Sequence, residues 1–113
     1  MTKKHDDFQA ASNKLFLYLY ERRAKLTCEI KAVGCWGMHG LSPHHIIRRS
    51  KGWACKNEPW NMLIACPNCH PIVDHPNSSM RLNGFTHEPF TLKAQFALAD
   101  KLNKERGITN KEV

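Results

Sequence analysis

The sequence predicts a small α+β protein in one domain, with a helix at each end and a short-stranded centre that carries its cysteines. Three observations support this. The chain has 113 residues, 42% hydrophobic and 24% charged, the length and composition of one globular domain (1–113). Stretches with helical patterning flank a middle that offers only runs of strand length. Five cysteines fall in that middle, and four of them form two pairs.

The first helix is expected over about residues 6–26. Asp6 and Asp7 stand near its start and Arg22, Arg23 and Lys25 near its end, the order that the helix dipole favours. Phe8, Ala11, Leu15, Leu19 and Leu26 form its apolar stripe. The run LFLYLY inside it is apolar in both phases and has strand character. Length and flanking alanines favour helix, and the run is far short of the roughly 20 residues of a membrane span.

A core over about residues 27–76 follows. Leu41 to Ile47 reads as a strand that Pro43 confines to an edge, Arg48 to Pro59 as a polar loop, and Trp60 to Ala65 as a second strand. A short helix is expected after Cys69, with Pro71 tolerated in its first turn and His75-Pro76 ending it. Ser78 to Asn83 suggests one more helical turn, closed by Gly84. The last helix is expected over about residues 91–106, capped by Thr91 and stopped at Gly107. Leu92, Phe96 and Ala99 share its apolar face, flanked by Leu98 and Leu102, and the tail from Ile108 is expected to fray. Trp53, Trp60, Tyr18 and Tyr20 are assigned to the core by default. His5, His39 and His87 are assigned no role.

Seventeen Lys and Arg against ten Asp and Glu give a net charge of +7. That excess suits a polyanionic partner and equally suits a merely basic soluble protein. MTKKHDDFQAA has no apolar signal core, so export by a cleaved signal is not expected. An odd cysteine count and no signal core speak against a disulfide framework, and in a reducing cytosol clustered cysteines more often bind metal. Cys66 and Cys69 form a C-x2-C knuckle, which alone is also compatible with a redox pair. Cys28 and Cys35, about 30 residues upstream, complete the four sulfurs of a tetrahedral zinc site. Cys55 is left over as a small buried hydrophobe.

The order His44-His45, then Asn61, then Cys66-x2-Cys69-His70 resembles the HNH endonuclease family, in its zinc-stapled, phage-like form. The resemblance spans about Cys28 to His75. It implies a ββα-metal (His-Me finger) core with a zinc knuckle pair, in which two antiparallel strands and a helix grip one divalent cation. His45 then matches the general base and His44 the adjacent metal ligand. Asn61 matches the residue that braces the loop carrying the base, and His70 a metal ligand at the start of the helix. Cys28, Cys35, Cys66 and Cys69 match the structural zinc ligands, although many relatives have C-x2-C for the first pair. Some relatives add a ligand one helical turn after the last histidine. Here that is Asp74, which shares a face with His70, or His75 if Pro76 unwinds the helix end.

The chemistry stands without the family name. Adjacent residues of a strand face opposite sides, so one of His44 and His45 can ligate while the other reaches a water. Neutral imidazole is a base near pH 7, and phosphodiester hydrolysis also needs positive charge on the phosphate and the departing oxygen. Arg48, Arg49 and Lys51 are expected phosphate contacts, with a solvated loop as the bland reading. The function expected is metal-dependent DNA endonuclease, nicking or cutting both strands. It would hold Zn2+ structurally and Mg2+, Mn2+, Ni2+ or Zn2+ at the catalytic site. RNA stays open as a substrate, no membrane partner is expected, and the expected location is the cytoplasm (the bacterial host's, if the chain is phage-encoded). The rivals are a non-catalytic zinc-ribbon module that binds nucleic acid and, more remotely, a secreted nuclease toxin.

Overall fold

The computed structural model describes residues 3–109, with side chains from residue 7 onward. Its elements are α1 (Lys3–Arg22), β1 (Ser42–His45), β2 (Met62–Ala65), α2 (His70–Asp74), β3 (Met80–Leu82), β4 (Phe85–His87) and α3 (Leu92–Arg106). The protein is a small α+β structure with two two-stranded antiparallel sheets. Among the described residues no helix is long and apolar enough to cross a membrane.

β2 is the centre of the molecule, and all four of its residues are buried. Period-two alternation sends Met62 and Ile64 to one face, where they pack with Leu15, Leu19 and Ala24. Leu63 points the other way and packs with Ile46 and Ala99. The terminal helices therefore cover opposite faces of one strand. β1 pairs with β2 in the register His44↔Leu63 and His45↔Met62. Directly paired residues share a face, so His44 faces α3 and His45 faces α1. Pro43 is tolerated because every strand of a two-stranded sheet is an edge.

α1 ends at Arg22, four residues before the expected boundary, because Lys25 and Leu26 adopt left-handed backbone angles. Its buried stripe includes Ser12 and omits Ala11 and Leu26, which are exposed, while Phe8 is half-buried. Arg23 does not serve the helix dipole. It is 1% exposed and binds Glu29 through Nε (2.7 Å) and Nη2 (2.9 Å). It also donates to the carbonyls of Pro59 and Met62 and to Asn103 Oδ1. Glu29 in turn accepts from the Ile64 amide at 2.8 Å. This buried pair ties the end of α1 to β2 and α3.

The helical turn expected at Ser78 to Asn83 is instead the hairpin β3–β4. Asn83 and Gly84 both have positive φ (48° and 83°), the requirement of a type I′ turn, and Asn-Gly is its preferred pair. α3 matches its expected span. Thr91 Oγ1 accepts from the Ala94 amide, and Gly107 closes the helix at φ 66°. Its buried stripe is Gln95, Ala99 and Asn103, with Leu92 exposed and Phe96, Leu98 and Leu102 half-buried. Ile108, expected to fray, packs on the Leu15–Leu19 cluster. The tail beyond residue 109 and the side chains of His5 and Asp6 lie outside the described residues.

Candidate metal centres

Two loops bring the cysteines together. Cys28 and Cys35 sit on the loop after α1 and Cys66 and Cys69 on the turn after β2. All four sulfurs lie within 4.8 Å of one another, so the cluster is able to hold a metal ion. Gly40 lets the loops approach: a Cβ there would stand 2.8 Å from Pro67 Cγ. Sulfurs bound at 2.3 Å to a tetrahedral centre stand about 3.8 Å apart, and Cys35 Sγ and Cys66 Sγ are 3.8 Å apart. Backbone amides point at the sulfurs: Trp36 N at Cys66 (3.3 Å), Gly37 N at Cys35 (3.3 Å) and Cys66 N at Cys28 (3.4 Å). Donors of this kind stabilise thiolates. Burial pushes the Cys28 and Cys69 thiols up. It also acts on Cys66, but the amides of Trp36, Cys69 and Asn68 and the Cys69 side chain outweigh it and hold that thiol down at about 7. An all-sulfur donor set with amide donors around it suits zinc. Cys55 is buried with its thiol pushed up by burial, as a packing residue should be.

The turn carrying Cys69 leads straight into α2, whose first residue is His70. The His70 amide donates to the Cys66 carbonyl at 2.9 Å, so the cysteine knuckle sets where the helix begins. One helical turn on, Asp74 shares a face with His70. His44, His70 and Asp74 form a second cluster with ligand atoms within 4.8 Å of one another. Asp74 Oδ1 lies 3.3 Å from His44 Nδ1 and 3.5 Å from His70 Nε2. His75, the alternative by sequence, is exposed at the end of α2 and is not in the cluster. Burial holds His44 below its ordinary value, which favours the neutral, ligating form.

These side chains open into a cleft of about 450 Å³ that His45, Arg48 and Arg49 also line. His45 leans on the Phe8 ring (5.6 Å between centroids), and its Nε2 is 2.8 Å from Asn57 Oδ1. Asn61 is fully buried. Its Oδ1 accepts from the Ile47 amide (2.7 Å) and its Nδ2 donates to the Lys56 carbonyl (2.9 Å). It thereby clips together the two ends of the loop that follows β1. Arg48 donates to the Asp74 carbonyl, and Arg49 stacks over Phe8 at 4.2 Å and donates to Gln9. Lys51 does not line that cleft; it lines a neighbouring hollow together with Arg48, Ile47, Pro76 and Leu92. Trp53 is 84% exposed rather than in the core, while Trp60 packs on Phe96.

Gln95 and Asn57, which carry no motif in the sequence, hold the two histidines. A polar residue on the apolar stripe of α3 was the one available signal for Gln95, and a loop asparagine gave none for Asn57. No family model, curated protein or solved structure matches the chain. Fold and clusters together define a small α+β protein with two candidate metal centres, one of four cysteines and one of two histidines and an aspartate.

Proposed function

We propose that this chain is a metal-dependent endonuclease that hydrolyses DNA phosphodiester bonds, of the HNH kind its sequence resembles. The observation that carries the reading is the convergence of His44, His70 and Asp74 on one point in a cleft that also holds His45 and two arginines. Three protein ligands leave room for phosphate and water, as a catalytic cation requires. His44, His70 and Asp74 would hold a divalent cation, Mg2+, Mn2+, Ni2+ or Zn2+, which supplies positive charge to the phosphate and the departing oxygen. Cys28, Cys35, Cys66 and Cys69 would hold a structural Zn2+.

His45 takes the proton of the attacking water through the ring nitrogen that Asn57 does not hold. Asn61 braces the backbone around it. Arg48 and Arg49, on the cleft wall, orient the phosphate. The resemblance implies products with a 5′-phosphate and a 3′-hydroxyl. The rival, a non-catalytic zinc-ribbon module, needs the four cysteines and the basic charge and leaves the His44–His70–Asp74 cluster without a use.

Plasmid cleavage with each divalent cation separates them. Wild type should cleave. His45→Ala should lose about 10²- to 10⁴-fold in rate with zinc content and DNA binding retained. Equal rates in the two proteins, or no cleavage by wild type with any cation, would replace the nuclease with the binding module.

A further inference from the structure

We infer that two carboxamides, Gln95 and Asn57, are positioning residues that hold His44 and His45 in the same tautomer, with the proton on Nε2 and Nδ1 left as the working nitrogen of each. Gln95 is fully buried, and its Nε2 donates to the carbonyls of Val73 (3.0 Å) and Phe90 (2.8 Å). Turning the amide over would set its oxygen against two carbonyl oxygens, so the orientation is fixed. Its Oε1, an acceptor only, then lies 2.8 Å from His44 Nε2, which must carry the proton. The same logic applies to Asn57. Its Nδ2 donates to the Phe8 carbonyl at 3.1 Å, so its Oδ1 must accept from His45 Nε2 at 2.8 Å.

The consequence differs at the two rings because they face opposite sides of β1. His44 Nδ1, without a proton, looks at Asp74 Oδ1 at 3.3 Å. Two acceptors converging in this way form the arrangement of a cation's ligands, and an outer partner on the far nitrogen orients the ring toward the cation. His45 Nδ1 is the nitrogen left with a lone pair on a residue of the cleft. His70 has no such clamp. Its Nδ1 meets the Ser42 hydroxyl at 3.1 Å, which can donate or accept by rotating. The tautomers follow from hydrogen bonding alone, while the division into ligand and base rests on the nuclease reading.

Long-range 1H–15N NMR of wild type, with its structural metal bound, reads the tautomers directly. Nε2–H at both His44 and His45 is expected, and Nδ1–H at either overturns the proposal. Two near-isosteric variants test the division. Gln95→Met should weaken Mn2+ binding, read by calorimetry, by about 10- to 100-fold, and saturating Mn2+ should restore most of its cleavage. Asn57→Leu should leave Mn2+ affinity unchanged and lower kcat at saturating Mn2+. If both variants lose Mn2+ affinity and cleavage alike, the amides are merely structural and the proposal is wrong. If tautomers and Mn2+ affinities come out as expected and wild type cleaves no DNA, the nuclease reading falls and the tautomer assignment stands.

Discussion

Replacing Asn61 by alanine tests how the strand hairpin is fastened to its site. The side chain is fully buried and makes two short bonds, from the Ile47 amide at 2.7 Å and to the Lys56 carbonyl at 2.9 Å. A third, to the Ile47 carbonyl, is long at 3.4 Å. Each buried group left without its partner costs about 1–3 kcal/mol. Ile47 is half-buried and Lys56 exposed, so water reaches part of what is orphaned and the lower half of that range applies to the second. The sum is about 2–5 kcal/mol, and at roughly 4 °C per kcal/mol for a domain of this size the melting temperature should fall by about 8–20 °C.

Calorimetry reads that fall, but amide exchange is the sharper assay. The Ile47 amide donates to the Asn61 side chain, whereas the neighbouring Ile46 amide donates to the Asn61 main-chain oxygen at 2.9 Å. Asn61→Ala should therefore strip protection from Ile47 beyond the global loss and leave Ile46 with the global loss alone. Because Lys56 precedes Asn57, cleavage should fall as well. Equal protection at the two amides, or a melting temperature within about 3 °C of wild type, would refute the bracing role.

Cys69→Ser should abolish the zinc found by elemental analysis and leave the chain unfolded, since structural zinc contributes about 10–16 kcal/mol against a total stability of about 5–15; full zinc content and unchanged melting would show the cluster misassigned. Changing Arg48→Ala together with Arg49→Ala should lower the slope of log K against log salt for duplex DNA by up to about 2, alike for all sequences, whereas an unmoved slope means neither touches phosphate. Burial depresses His44 from 6.5, so the folded protein takes up that proton later than the unfolded chain. Stability tied to neutral His44 is thus complete above about pH 6.5 and declines as pH drops through the lower folded value. Mn2+ affinity should decline with it, because an imidazolium cannot ligate. His44→Gln should flatten the melting profile as pH falls below about 6.5, and an unchanged profile would remove His44 as its source.

What was legible in the sequence was local. α3 is bounded by Thr91 and Gly107, both of which act within one turn, and its span was predicted from them. The cysteine clustering was readable from spacing, and the i,i+4 relation of His70 and Asp74 favoured the residue that the structure brings in. Errors arose where a short-range rule met a long-range partner. Arg23 looks like a helix-end charge until Glu29, Asn103 and two carbonyls surround it. The hairpin at Asn83-Gly84 is itself a local signal, since Asn-Gly is the preferred pair of its turn. Gln95 and Asn57 act across 51 and 12 residues of sequence, and neither residue type announces its partner.

The distance along the chain between His44 and Gln95 has a consequence for synthesis. His44, His70 and Asp74 are all made before α3 exists, so a nascent chain carries the cation cluster while the face of β1 that α3 covers is still open. At 5–20 residues per second, the interval between residue 74 and residue 95 is about 1–4 s. During that time His44 has no Gln95 to orient it and no Ala99 packed behind Leu63. A cluster whose orienting partner lies on α3 is incomplete until α3 has been made and docked, so its affinity for a cation rises only at that last packing step.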